Sequence, residues 1–216
     1  MTLAPIEASR RTRELCALAP IVPVLVVDDV ASARPLAEAL VAGGLPVLEV
    51  TLRTPTALDA IREMSTVPGG YVGAGTLVTP EDVRAAKAAG ATFGVSPGAT
   101  DELLAACAKE NLPLLPGAAT ASEAMRLLAQ GFDMIKFFPA EASGGAPALK
   151  AIGAPLPQIT FCPTGGVSPQ NAETYLKLNN VLCAGGSWVA PKEMVKAGRW
   201  GDIEALAKAA SQLGKI

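Results

Sequence analysis

Leu112-Pro-Leu-Leu-Pro-Gly-Ala-Ala-Thr-Ala-Ser-Glu-Ala-Met-Arg-Leu-Leu-Ala-Gln-Gly-Phe-Asp-Met-Ile-Lys-Phe-Phe138 contains a whole structural unit. Its ends, Leu112–Leu115 and Asp133–Phe138, are short apolar runs of strand length. Between them Ala121–Ala129 has a helical pattern. Thr120-Ala-Ser-Glu123 opens that helix, because a hydroxyl and a carboxylate three residues apart satisfy each other's backbone N–H groups. Gly131 closes it. Strand, helix and strand in this order make the two strands parallel, since the helix returns the chain to the end from which it left.

The unit repeats in both directions. Strand-like runs occur at Ile21–Val27, Leu45–Thr51, Tyr71–Thr76, Thr92–Val95, Leu112–Leu115, Asp133–Phe138, Gln158–Phe161 and Val181–Ala184, with starts 20 to 26 residues apart. Alanine-rich helical segments lie between them, among them Ala31–Ala42, Pro80–Ala89, Asp101–Lys109 and Pro169–Leu178. Gly43 and Gly90, like Gly131, follow helical segments. Eight such units predict an α/β fold, a single (β/α)8 TIM barrel near the lower length limit for that architecture. A doubly wound open sheet ranks second, because no G-x-G-x-x-G follows the first strand. There is no linker or low-complexity segment. Residues 1–216 therefore read as one domain, with an extra N-terminal helix at 5–19 and the barrel at 21–216.

Composition narrows the chemistry. Half of the 216 residues are hydrophobic and 18% are charged, enough for a large core and too apolar for disorder. The net charge of −2 is spread along the chain and predicts no nucleic-acid or membrane-surface partner. There is no histidine, which removes Ser-His-Asp and Cys-His nucleophiles and histidine metal sites. Four cysteines, Cys16, Cys107, Cys162 and Cys183, form no C-x-x-C pair and read as free, buried thiols. Arg10, Arg11 and Arg13 before the run Leu15–Val27 imitate a secretory signal. Glu14, Pro20 and Pro23 interrupt that pattern, no small-residue cleavage site follows, and the run is too short to span a bilayer. The expected location is cytoplasmic.

Two charges stand where apolar residues belong. Lys136 lies inside Met134-Ile-Lys-Phe-Phe-Pro139, and a period of two puts it with Met134 and Phe138 on one face, opposite Ile135 and Phe137. In Leu45-Pro-Val-Leu-Glu-Val-Thr-Leu-Arg53, the residues Val47, Glu49, Thr51 and Arg53 share a face. The barrel geometry turns these faces inward, with Arg53 nearest the mouth. A structural ion pair between Lys136 and Glu49 is the alternative reading, but desolvation offsets most of such a pair's attraction. A lysine in apolar surroundings suits imine chemistry: desolvation and a neighbouring cation favour the neutral amine that attacks a carbonyl, whereas a carboxylate favours the charged form. Arg53 supplies a cation that can also fork onto a substrate carboxylate, and Glu49 a proton carrier.

Glycines gather at the strand ends: Gly73-Ala-Gly-Thr76, Ser96-Pro-Gly98, Pro116-Gly117, Pro163-Thr-Gly-Gly166 and Gly185-Gly-Ser187. These ends converge on the C-terminal face of a barrel, where loops seven and eight commonly hold phosphate. Thr164, Gly165, Gly166, Gly186 and Ser187 are accordingly candidates for a phosphate group, since glycine lets N–H groups approach an anion. The inferred reaction is Schiff-base chemistry on a phosphorylated, carboxylate-bearing ketone.

The chain closely resembles the 2-keto-3-deoxy-6-phosphogluconate and 4-hydroxy-2-oxoglutarate aldolases, from Ile21-Val-Pro-Val24 to Trp200. The markers are Leu48-Glu-Val-Thr-Leu-Arg53, Gly73-Ala-Gly-Thr76, Ser96-Pro-Gly98, Lys136-Phe-Phe-Pro-Ala-Glu141, Phe161-Cys-Pro-Thr-Gly-Gly166 and Gly185-Gly-Ser-Trp188. The resemblance implies that Lys136 forms the imine and Glu49 is the general acid/base. It implies that Arg53 and Thr76 hold the substrate carboxylate, that Pro97 and Phe138 shape the pocket, and that Gly165, Gly166 and Ser187 hold the 6-phosphate. It further implies homotrimers with no metal or organic cofactor. Asp28-Asp29 stand where some relatives carry lysines. Three rival readings are an aldolase for galactonate-derived or non-phosphorylated hydroxy-keto acids, a phosphate-binding isomerase or epimerase, and a non-catalytic phospho-sugar sensor.

Overall fold

The computed structural model describes residues 2–214. The helix α1 (Pro5–Cys16) precedes the first strand, β1 (Ile21–Leu25). Helix and strand then alternate through α2 (Ala33–Ala42), β2 (Val47–Thr51), α3 (Ala57–Met64), β3 (Tyr71–Gly75), α4 (Pro80–Ala88), β4 (Phe93–Val95) and α5 (Asp101–Lys109). The unit quoted first follows as β5 (Leu114–Leu115), β6 (Gly117–Ala118), α6 (Ala121–Ala129) and β7 (Met134–Phe137). The chain ends with α7 (Gly145–Gly153), β8 (Thr160–Pro163), α8 (Ala172–Leu176), β9 (Ala184–Gly186), α9 (Lys192–Lys196) and α10 (Trp200–Ala210). The capping box foreseen at Thr120 and Glu123 is present, and Thr79 with Asp82 forms another at α4.

All strand pairs are parallel, in the orders β5-β4-β3-β2-β1-β9 and β6-β7-β8. β5 and β6 are one barrel strand divided at Pro116, which has no N–H to give; its carbonyl accepts from Lys136 N at 2.9 Å. At the other seam β8 meets the last strand through single pairings, Phe161 with Val181 and Thr164 with Gly185. The expected barrel is thus present, drawn among the described residues from nine strand pieces rather than eight.

Most element boundaries differ from the sequence reading by one to three residues, and three of the shifts bear on the fold. The N-terminal helix stops at Cys16 instead of residue 19, with a turn from Leu15 to Leu18 leading to Pro20. The run Val181–Ala184 forms only a bridge, and the last strand is Ala184–Gly186, because pairing of Ile21, Val22 and Pro23 with Ala184, Gly185 and Gly186 outweighs the weak strand propensity of glycine. The seventh run likewise lies at Thr160–Pro163, two residues beyond Gln158–Phe161.

Alternation along the strands creates two cores. Leu48, Val50, Ile135 and Phe137 pack outward against the helices, while Val22, Val47, Phe93, Val95, Leu115, Met134, Cys162 and Cys183 fill the interior with Cys16 of α1. The helix α1 closes the N-terminal end of the barrel. Ser9 Oγ donates to Asp133 Oδ1 at 2.6 Å, and Arg13 reaches Thr160 Oγ1 at 2.6 Å, both at the beginnings of strands. The open end is therefore the C-terminal one. All four cysteines are free and buried, and burial pushes the Cys107 thiol up to about 12, so it is not a nucleophile.

Candidate active site

Lys136 and Glu49 meet inside the barrel. Lys136 Nζ donates to Glu49 Oε1 at 3.2 Å, and the two side chains are 6% and 4% exposed. β7 carries the lysine beside Gly117 and Cys162, and β2 carries the glutamate beside Val24 and Gly73. Inward glycines of β3 make the room: a Cβ at Gly75 would lie 2.2 Å from Glu49 Oε1, and one at Gly73 would lie 2.4 Å from the Phe93 ring. The lysine ammonium also lies 5.1 Å from the centre of the half-buried Phe138 ring. Desolvated this far, the two groups are held by each other, and movement of a proton between them involves little solvent reorganisation.

Arg53 stands farther out and is exposed, with its Nε 3.3 Å from Thr76 Oγ1. The structure joins these two residues at the end of β2 and β3, as the sequence places them. Thr76 holds a left-handed backbone with φ of 65°, rare for a β-branched residue. Pro97 is half-buried, and its carbonyl is where a Cβ on Gly117 would fall, 2.3 Å away. That glycine is required by the close approach of the segment after β4 to the start of β6.

Thr164 is buried and Gly165 and Gly166 follow with φ of 101° and 77°. Thr164 packs on Gly185, where a Cβ would lie 2.3 Å from Thr164 Oγ1. Gly186 is inside β9, buried under the Trp188 ring, and Ser187 is exposed beyond it. A cleft of about 690 Å³ opens beside Ser187 and Trp188 and reaches Val24 and Val26 at the end of β1. The loop after β8 is linked to Lys136 through Phe138, whose ring centre lies 5.1 Å from Lys136 Nζ and whose edge would touch a Cβ on Gly165 at 3.4 Å.

Three residues around this loop were not singled out for a role by sequence reasoning. Glu141 ends the motif begun by Lys136, yet its neighbours are loop residues and nothing in its spacing indicates a contact. Tyr175 donates to Glu141 Oε1 from α8, and Asn171 Nδ2 donates to Gly166 O at 3.1 Å. Burial first, and then the Glu141 carboxylate, push the Tyr175 hydroxyl well above its ordinary value, which keeps it a donor.

Residues 12–206 match the family described as KDPG and KHG aldolase. The chain belongs to that family. The 2-dehydro-3-deoxy-phosphogluconate aldolase of Pseudoalteromonas atlantica is 55% identical over 192 residues, 88% of this chain and 89% of the relative. The 2-keto-3-deoxy-6-phosphogluconate aldolase of Zymomonas mobilis ZM4, solved with 3-phosphoglycerate, superposes with a TM-score of 0.89 at 49% identity, covering 95% of this chain and 97% of that one. The KDPG aldolase of Legionella pneumophila, solved with pyruvate captured as a covalent carbinolamine, gives 0.89 at 50% identity over 92% and 97%. These likenesses bear out the sequence reading of a lyase working through a lysine imine. Among the described residues no helix is long and apolar enough to cross a membrane.

Proposed function

We propose that this aldolase cleaves 2-dehydro-3-deoxy-6-phosphogluconate reversibly to pyruvate and glyceraldehyde 3-phosphate, and 4-hydroxy-2-oxoglutarate to pyruvate and glyoxylate. The observation that carries this reading is a buried lysine inside the barrel, 3.2 Å from a buried carboxylate and below a glycine-rich mouth. Lys136 Nζ attacks the C2 ketone, and loss of water gives an iminium. Glu49 takes the proton of the C4 hydroxyl, the C3–C4 bond breaks, and its electron pair flows into the iminium to leave an enamine. Glyceraldehyde 3-phosphate departs. The enamine takes a proton at C3, and water hydrolyses the resulting imine to pyruvate and the free amine.

The remaining roles are those the family resemblance implies, and the positions of the residues support them. Arg53 and Thr76 hold the substrate carboxylate, Pro97 and Phe138 wall the pocket, and Thr164, Gly165, Gly166, Gly186 and Ser187 surround the phosphate. The glycines of the last two loops offer no side chain to compete with the anion. We further read residues 1–216 as one barrel domain of a cytoplasmic homotrimer, using neither metal nor organic cofactor.

Borohydride trapping with pyruvate, followed by peptide mapping, tests the assignment on the unaltered protein. A pyruvate-derived adduct on the peptide bearing Lys136 is the expected result. An adduct on another lysine, or none on folded protein, would overturn it. Lys136→Ala should lose nearly all turnover, and Lys136→Arg as much, because a guanidinium stays protonated.

A further inference from the structure

The carbonyls of the loop after β8 are each held from behind. Ala140 N donates to Thr164 O at 2.8 Å, Glu141 N to Gly165 O at 3.0 Å, and Asn171 Nδ2 to Gly166 O at 3.1 Å. In a trans peptide the N–H points away from the preceding carbonyl. The N–H groups of Gly166 and Val167 are therefore turned away from Glu141 and Asn171, and neither has an acceptor among the described residues. Two adjacent N–H groups without a protein acceptor, beside the left-handed backbone of Gly165 and Gly166, form an anion cradle.

The holders are themselves fixed. Asn171 Oδ1 accepts from Ser168 N at 2.8 Å, so its amide cannot rotate without losing a bond at each end. Glu141 lays its stem against the loop, 2.6 Å from where a Cβ on Gly166 would be, and its Oε1 accepts from the buried Tyr175 hydroxyl. A carboxylate so near a phosphate site opposes the anion by charge, so its place there calls for another explanation.

We propose that Asn171 and the Glu141–Tyr175 pair are positioning residues that aim the Gly166 and Val167 N–H groups at the substrate's phosphate. The proposal rests on the aldolase reading above. None of the three touches the reacting carbons; they act through the loop. Their loss should weaken binding of the phosphate end and spare imine formation at Lys136.

The test compares two reactions of the same variants. Cleavage of 2-dehydro-3-deoxy-6-phosphogluconate needs the phosphate end, whereas exchange of the pyruvate methyl protons with deuterated water needs only the pyruvate end of the site. Asn171→Ala and Tyr175→Phe should each raise KM for the phosphorylated substrate about fivefold, the worth of one lost hydrogen bond, while methyl exchange stays within about twofold of the unaltered protein. Equal losses in both reactions would show a merely structural role and overturn the proposal, as would no change in either. If the unaltered protein cleaves the phosphorylated and unphosphorylated sugar acids with equal kcat/KM, the phosphate reading itself falls and this proposal with it. If it distinguishes them and the variants behave normally, only the positioning role falls.

Discussion

Thr76 adopts a backbone that a β-branched residue reaches only under constraint from its surroundings, with φ of 65°. Such residues cost about 1–3 kcal/mol and concentrate at functional sites. The hydroxyl of Thr76 lies within 3.3 Å of Arg53 Nε, so the strain coincides with the contact assigned to the substrate carboxylate. Replacing Thr76 by glycine separates the two effects. The backbone relaxes while the unfolded chain gains freedom, for a net stabilisation of about 1 kcal/mol. The hydroxyl is lost, and KM for the keto acid should rise about fivefold, as expected for one hydrogen bond. Urea unfolding and steady-state kinetics on Thr76→Gly check both halves; a variant less stable than the parent would refute the strain argument. Left-handed backbone at a threonine is not readable from sequence, because Gly73-Ala-Gly-Thr76 places the residue without stating its conformation.

At the scale of the element, β3 is organised by what it lacks. Gly73 and Gly75 face the interior and leave space for Phe93 and Glu49, side chains from the strands on either side. The register that pairs Thr51 with Gly75 therefore sets where the Glu49 carboxylate can stand. Gly75 has an ordinary backbone, so an added methyl acts by volume alone. Its Cβ would lie 2.2 Å from Glu49 Oε1 and 2.7 Å from Glu49 Cγ, and the carboxylate must swing aside. Gly75→Ala should lower kcat about a hundredfold, since a displacement near 1 Å at a catalytic group costs roughly that much. Borohydride trapping of pyruvate at Lys136 should persist, though more slowly, because the amine itself is untouched. Unchanged kcat would mean that the glutamate relaxes without cost, or that its position does not govern the reaction. The sequence shows these glycines clearly at a strand end; only the barrel register shows that they vacate space.

For the whole molecule, periodicity alone carried the architecture. Alternating runs 20 to 26 residues apart specify parallel strands, and the same alternation placed Lys136, Glu49 and Met134 inward with Ile135 and Phe137 outward. What stayed hidden depends on contacts distant in sequence: the division of a strand at Pro116, the pairing that moves the last strand to Ala184–Gly186, and the support that Asn171 and Tyr175 give to the Gly165-Gly166 turn. Gly43 is another case. It reads as a helix stop, yet the left-handed residue after α2 is Gly44, with φ of 90°, while Gly43 keeps a helical φ of −72°. Its reason is the last helix. A Cβ at Gly43 would lie 2.4 Å from Ala207 Cβ and 2.7 Å from the Glu204 carbonyl of α10, both rigid neighbours. Gly43→Ala must push α10 away from α2, and overpacking of this kind costs about 1–3 kcal/mol. The expected result is a lower urea midpoint with kcat retained at 25 °C, because α2 and α10 lie outside the strands that carry Lys136 and Glu49. Loss of kcat in proportion to stability would instead mean that the outer helices and the interior pair are one coupled unit.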